Sequence, residues 1–150
     1  MIRPIIKYPD PLLRSICKPL LEITECRLNN IQDMLDTLYD ASGRGLAGPQ
    51  IGLLIRLFVI DITWKDGISD PKIMINPEVL FESDEQQINE ERCLSIPNKP
   101  VEIIRPKFIE VLWMDEKENI NRGSFSGITA AVISHEIDHL DGKLIIDNNR

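Results

Sequence analysis

The stretch that most restricts what this chain can become lies near its C-terminus. Across residues 128–140, Ala130, Ile133, Ile137 and Leu140 fall on one side of a helix, with Ile128 and Val132 on the adjacent side. Ser126 or Gly127 can cap its start, and Gly142 can stop it. A helix apolar nearly all round is a buried helix. Yet this one also carries His135, Glu136 and His139, and these are the only two histidines in the chain. Four residues apart, the imidazoles stand on one face, one turn from each other. Buried rings and a buried carboxylate need partners, and a metal ion shared by both rings is the most economical one. The H-E-x-x-H spacing supplies two ligands and, in Glu136, a base for a water on that ion.

A catalytic site of this kind takes about three protein ligands and leaves a position open. Only 11 residues follow His139, with Asp141 and Asp147 as their carboxylates. Asp141 is too close on the same helix to converge well. The third ligand is therefore expected upstream, as a cysteine or a carboxylate. Among the thiols, Cys93 is favoured because it sits in a short apolar stretch closed by Pro97, whereas Cys17 and Cys26 lie near polar helical surroundings. A cysteine is more often a small buried hydrophobe, and only its conjunction with H-E-x-x-H lifts Cys93. A thiolate with two imidazoles suits iron(II), zinc, cobalt or nickel.

Upstream, residues 24–41 read as a helix, with Leu28, Ile31, Met34, Leu35 and Leu38 on one side and Ser42-Gly43 as its stop. Segment 43–52 holds four glycines and one proline, so its backbone turns sharply or approaches something closely. It is not a phosphate loop, because no Lys-Ser/Thr follows the glycines. It is not a dinucleotide fingerprint, because it follows a helix and precedes a strand. Gln50 in it could aim an amide at a ligand. Strands are expected at 54–62, at 72–76 and 78–81 on either side of Asn76-Pro77, at 101–104 and at 107–114. Phe108, Glu110, Leu112 and Met114 share one side of the last. The polar runs 84–91 and 115–121 read as a loop or hairpin tip and a turn. Residues 2–7 form an apolar arm over the core, and Tyr8-Pro9-Asp10-Pro11 can open a short helix with Pro11 at its first position. One helix before the strands and one after them gives an α+β fold, with largely antiparallel sheets packed around the C-terminal helix. The length of 150 residues fits one domain, 1–150.

The formal net charge of −7, with scattered Lys and Arg, speaks against nucleic acid as a partner. No apolar run is long enough to span a bilayer as a helix, so no membrane association is expected. Three cysteines without C-x-x-C spacing fit a reducing compartment. A cytoplasmic protein is expected, or an organellar one if a targeting segment is absent from this chain.

Three segments then match the motifs of one family in order. The chain reads Gly43-Arg44-Gly45-Leu46-Ala47-Gly48-Pro49-Gln50, Glu91-Arg92-Cys93-Leu94-Ser95 and Ser134-His135-Glu136-Ile137-Asp138-His139. Peptide deformylases carry G-φ-G-φ-A-A-P-Q, E-G-C-L-S and Q-H-E-x-D-H there, φ being apolar. The chain resembles that family over nearly its whole length. The resemblance implies that Cys93, His135 and His139 hold one divalent ion, iron(II) natively, with zinc, nickel or cobalt able to substitute. It implies Glu136 as general acid and base, and Gln50 with the Leu94 backbone N–H as oxyanion donors. It puts Gly45 against the peptide backbone, and Arg44, Arg92 and Val132 at or beside positions that contact substrate. The implied reaction removes the formyl group from the N-terminal formyl-methionine of new polypeptides. Arg44 and Arg92 stand where the family has an apolar residue and a glycine, and Ser134 where it has glutamine. The two arginines put the methionine pocket and peptide groove in question, while Ser134 bears on the hydrogen bonding around the metal ligands. Many members continue into a further C-terminal helix linked with ribosome docking, so a chain ending at Arg150 lowers the expectation of that contact. Glu91 and Arg105 could pair to brace the Cys93 loop. Two alternatives stay open: altered N-acyl-peptide specificity, or a weakly catalytic descendant that keeps metal or peptide binding. The intact Glu136 argues against the second.

Overall fold

The computed structural model describes residues 1–147; Arg150, on which the expectation about a further helix rests, lies outside them. The elements in chain order are α1 (Glu25–Asp40), β1 (Gly45–Ala47), β2 (Leu57–Ile60), β3 (Lys72–Glu82), β4 (Gln86–Cys93), β5 (Ile96–Pro106), β6 (Phe108–Met114), β7 (Ile120–Ser126) and α2 (Gly127–Leu140). Short 3-10 turns occupy Pro11–Arg14, Gly48–Ile51 and Trp64–Asp66. One five-stranded sheet has the order β1-β2-β3-β6-β7, and β4 and β5 form a separate two-stranded sheet. All these strand pairs are antiparallel. The α+β expectation is met.

β2 shows how the layers are held. All four of its residues are buried, and alternate ones face opposite layers. Leu57 and Val59 join Met34 and Leu38 of α1 in one cluster, while Phe58 and Ile60 join Ala130 and Ile133 of α2 in another. The large sheet is thus covered by a helix on each face near its β1–β2 edge. Burial of this kind stabilises by roughly 25 cal/mol per Å² of apolar surface. A third cluster joins Cys93, Ile96 and Ile103 of the small sheet to Leu13, Leu144 and Ile145. Ile6 of the N-terminal arm packs against this cluster, as expected of an arm over the core, and the Asp10 carboxylate accepts from Leu12 N–H at 2.9 Å where the Pro11–Arg14 turn begins.

Several sequence expectations change. Leu28 is exposed, because the buried stripe of α1 begins at Asn30 and Ile31. β3 runs unbroken through Asn76-Pro77. Asn76 takes a positive φ of 49° and a register shift absorbs the proline, while the Asn76 side chain bonds both the Leu20 N–H and C=O. Residues 84–91 are mostly strand, not loop. β4 alternates exposed and inward positions, but its inward side is polar, so hydrophobic periodicity missed it. β7 begins inside the expected 115–121 turn and has no apolar period to announce it, since none of its residues is fully buried. On β6 the buried side is Ile109 and Val111, not the Phe108–Met114 side. Cys17 is buried within the α2–sheet cluster, contrary to its expected polar surroundings.

Candidate metal centre and groove

α2 carries the site, and its ends are held by other parts of the chain: at the start Gly127 N–H donates to Lys107 O at 3.0 Å, although Ser126 makes no side-chain cap. At its C-terminus Gly142 adopts φ +72° and a β-carbon there would meet Arg14 O at 2.5 Å, so glycine is required for conformation and for space. Gly142 N–H donates to His139 O and Lys143 N–H to Asp138 O, which closes the last turn in a Schellman motif. Arg56 Nη1 adds hydrogen bonds to Leu140 O and to the Asp141 carboxylate. That puts a cation at the negative end of the helix dipole.

The two histidine rings stand one turn apart with centroids 5.1 Å from each other. Cys93 reaches them from the end of β4, just before the Leu94-Ser95 turn that leads into β5. Its Sγ lies 3.3 Å from His139 Nε2, and the three potential ligand atoms of Cys93, His135 and His139 all lie within 4.8 Å of one another. All three residues are buried. Among the described residues this is the one grouping of three or more His, Cys, Asp or Glu side chains able to hold an ion. The donor set fits a single divalent cation: a thiol and two imidazoles, too few to close a structural tetrahedral site.

The surroundings select the ligand form of each ring. His135 Nδ1 lies 3.0 Å from Glu91 Oε1, which holds the proton on Nδ1 and leaves Nε2 for the ion. Glu91 is itself held by Arg105, which donates to it through Nε and Nη2 at 2.9 Å each, while Arg105 Nη1 donates to Asp138 at 2.6 Å. Burial opposes the charge on Glu91, but Arg105 and His135 outweigh it and bring its pKa down to about 2. Burial, then the neighbouring His135 and Arg105, hold His139 well below the usual imidazole range, so that ring is neutral. Burial also disfavours a charge on His135, yet Glu136, Cys93 and Glu91 together raise its pKa. The same neighbours that favour a positive charge at this ring would favour a metal cation there.

Glu136 lies beside this triad, 4% exposed, and its Oε1 is buried without a hydrogen-bond partner among the described residues. A buried carboxylate oxygen left unpaired by protein is free for water or substrate. Burial is the largest influence on this group and raises its pKa; His135 and Arg105 pull it back, Glu91 and Asp138 push it up, and the result is about 7. That value suits a group that must both take and give a proton near neutrality.

Gln50 is 1% exposed. Its Oε1 accepts from Ala47 N–H at 2.9 Å, which fixes the amide orientation, since a backbone N–H can only donate. Its Nε2 is thereby aimed at Ser95 Oγ, 3.1 Å away, and at Cys93 Sγ, 3.8 Å away. Each of Arg44, Gly45, Gln50, Arg92, Cys93, Leu94, Val132, His135 and Glu136 lines one groove of about 630 Å³, and His139 lies behind it on α2. β1 is an edge strand, and Arg44 O accepts from Asp61 N–H at 2.9 Å. By the alternation of an antiparallel pair, the N–H and C=O of Gly45 therefore point away from β2, toward the open edge.

Arg92 does not fill this groove. Its side chain is 76% exposed and pairs with Glu90 at 3.4 Å. Neither Arg92 nor Arg44 is among the described residues with positive φ, so no glycine conformation is required at either place. Sequence reasoning left two participants without roles, Asp138 and Ser95. Both lay inside recognised motifs; Asp138 sits three residues after His135, on nearly the same helix face.

A family model described as polypeptide deformylase matches residues 2–150. The peptide deformylase of Bartonella quintana (strain Toulouse) is 42% identical over 98% of this chain and 84% of its own length. That of Clostridium botulinum (strain Alaska E43 / Type E3) is 43% identical over 97% of this chain and 95% of its own. The crystal structure of peptide deformylase from Thermotoga maritima superposes with a TM-score of 0.93 at 38% identity, covering 98% of this chain and 97% of that one. The Synechococcus elongatus peptide deformylase in complex with actinonin gives 0.92 at 34% identity, covering 99% and 84%.

Proposed function

The chain belongs to the peptide deformylase family and removes N-formyl groups from formylated peptides, and on that premise we propose how its residues divide the work. Cys93, His135 and His139 hold one divalent ion, iron(II) natively, with zinc, nickel or cobalt able to take its place. Such an ion supplies Lewis-acid polarisation of the formyl carbonyl and acidifies water. The convergence of three donor atoms within 4.8 Å at the floor of the groove carries this reading.

The peptide lies extended along the open edge of β1, where Gly45 offers its free N–H and C=O. Val132 and Leu94 contribute apolar wall to the cavity that takes the first side chain. Glu136 accepts the proton of the attacking water as the new C–O bond forms. As the C–N bond breaks, it returns that proton to the leaving nitrogen, so formate and a free amino terminus result. The Leu94 N–H and the Gln50 amide stabilise the negative oxygen that develops between these steps. One such donor is worth roughly 10²–10³ in rate. Arg105, through Glu91, fixes the His135 ring, and the whole chain acts as one catalytic domain. Its substrates are the formyl-methionyl ends of new polypeptides in a reducing compartment, with neither nucleic acid nor membrane as a partner.

Anaerobic expression with iron or nickel, metal per chain and formate release from a formyl-Met peptide test this, with Glu136→Gln as control. One ion per chain with no formate from any formyl peptide refutes it.

A further inference from the structure

The groove carries a charge unlike that of the molecule around it. The chain has a net charge of −7, yet five of its 17 basic residues line this one cavity: Lys7, Arg44, Lys65, Arg92 and Lys99. The carboxylates lining it are Glu90, Glu91 and Glu136. Two of these are buried and engaged inside. Glu91 is held by Arg105, and Glu136 sits beside the metal triad. Among the described residues lining the cavity, Glu90 is the one exposed carboxylate beside these cations, and its contact with Arg92 is a single long pair between exposed groups. Lys7 is turned onto Leu94 O at 3.2 Å. Among the described residues Arg44, Lys65 and Lys99 form no ion pair, and all three are exposed.

The placement is held by structure. Arg44 directly precedes the free edge of Gly45 and is anchored through its carbonyl to Asp61. Trp64 Nε1 donates to Gly43 O at 2.8 Å, which ties the turn bearing Lys65 to the same wall. Arg92 and Lys99 come from the β4–β5 hairpin on either side of the Leu94-Ser95 turn. An extended peptide advances roughly 3.3 Å per residue. With its first residue at Glu136, the next two or three must leave the cavity past these side chains.

We propose that this cationic mouth, led by Arg44 and Arg92, makes the enzyme select formylated peptides with acidic side chains at their second and third residues. The inference rests on the deformylase reading and names the substrate class of that same site. These side chains are exposed at the mouth and would meet the second and third residues of the peptide, not the formyl group, so they bind ground state and transition state alike and act through KM, leaving kcat nearly the same across peptides. Exposed charges interact weakly one by one, but exchanging repulsion for attraction at two positions amounts to about tenfold in kcat/KM. Screening by salt erodes that ratio.

The test uses three formyl-Met peptides identical except for Ala, Glu or Lys at the second and third residues, with ion-loaded full-length protein at low and high salt. The Glu peptide is expected to exceed the Lys peptide by about tenfold in kcat/KM, mostly through KM, with the ratio falling at high salt. The double variant Arg44→Glu, Arg92→Glu is expected to invert the ratio, which a merely structural role for these side chains would not do. Equal or Lys-favouring turnover by the unaltered protein overturns the proposal, as does an unchanged ratio in the charge-reversed variant. Failure to cleave even the Ala peptide refutes the deformylase reading instead. Calorimetric binding of the same three peptides to ion-loaded Glu136→Gln still decides the charge selection in that case.

Discussion

Gly45 and Glu136 are so close that a β-carbon on the glycine would stand 2.6 Å from the carboxylate Oε2. Gly45 does not have a positive φ, so its small size and not its backbone freedom is what the site uses. The open edge of β1 therefore lies directly against the Glu136 carboxylate. Gly45→Ala must push Glu136 aside. The expected result is a loss of about a hundredfold in kcat with metal content intact, because a displacement of about 1 Å at a reacting group costs that much. Formate release and metal per chain, measured on the same sample, check this; full activity would remove the contact from the mechanism.

Glu136→Gln keeps the shape and removes the proton-accepting oxygen. Formate release is expected to fall by roughly 10²–10⁴ while one ion per chain remains bound. Gln50→Ala is expected to lower kcat by roughly 10²–10³. Loss of metal in either variant would move that residue from catalysis to metal retention.

Cys93→Ala and His139→Ala each remove one of the three donors. Both are expected to emerge from dialysis against a mild chelator without metal, under conditions in which the parent keeps it. Elemental analysis reads the outcome, and an ion retained by Cys93→Ala refutes the ligand assignment.

Arg105→Met strands Glu91 inside the protein without its bidentate partner. Leaving a buried charge unpaired costs about 3–5 kcal/mol, read as a shift of the urea midpoint. The more revealing comparison is Arg105→Met with Glu91→Gln, which removes both charges. Its stability is expected to recover part of the loss while metal affinity stays weakened, because His135 has lost the carboxylate that orients its ring. Full recovery of both would reduce the pair to a packing device.

Asp61 is fully buried and accepts from Tyr39 Oη at 2.7 Å, Ser69 Oγ at 2.9 Å and Asp70 N–H at 3.0 Å. Burial is the largest single influence and opposes its charge, but these hydrogen bonds outweigh it and lower its pKa below 3.8. A depressed folded-state pKa stabilises fully above 3.8 and is lost as pH falls through the lower folded value. Asp61→Asn is thus expected to cost about 2 kcal/mol at neutral pH, with the gap to the parent narrowing in acid. Urea midpoints across the pH range check the sign; a gap independent of pH would contradict it. The same variant should loosen the groove wall, since Tyr39 packs edge-on against Trp64, whose indole holds Gly43.

What could be read in the chain was whatever depends on near neighbours. α2 was legible because its apolar residues recur at helical spacing and its two histidines stand four apart. The Pro11–Arg14 turn was legible because aspartate and proline mark a helix start locally. The short tail after His139 put the third donor upstream, as a cysteine or a carboxylate, and an apolar setting favoured Cys93 among the thiols. β4 and β7 were not legible, because period-two alternation shows only where one side is apolar. Two inward polar residues of β4 are bonded by partners distant in sequence: Gln87 bonds Pro106 O and Gly127 O, and Glu91 bonds Arg105.

Residue spacing was enough to specify a buried, metal-competent helix within an α+β chain, and three ordered motifs carried a resemblance to one family. The Glu91–Arg105 pair was expected and is present, but only the folded chain shows that Glu91 also holds the His135 ring, that Gly45 lies against Glu136, and that Arg92 turns out to solvent and leaves the groove open. The reason is physical. Apolar burial writes a periodic pattern into each element, whereas pairing of buried polar groups and the gathering of charge around a cavity depend on which distant strands the fold brings together.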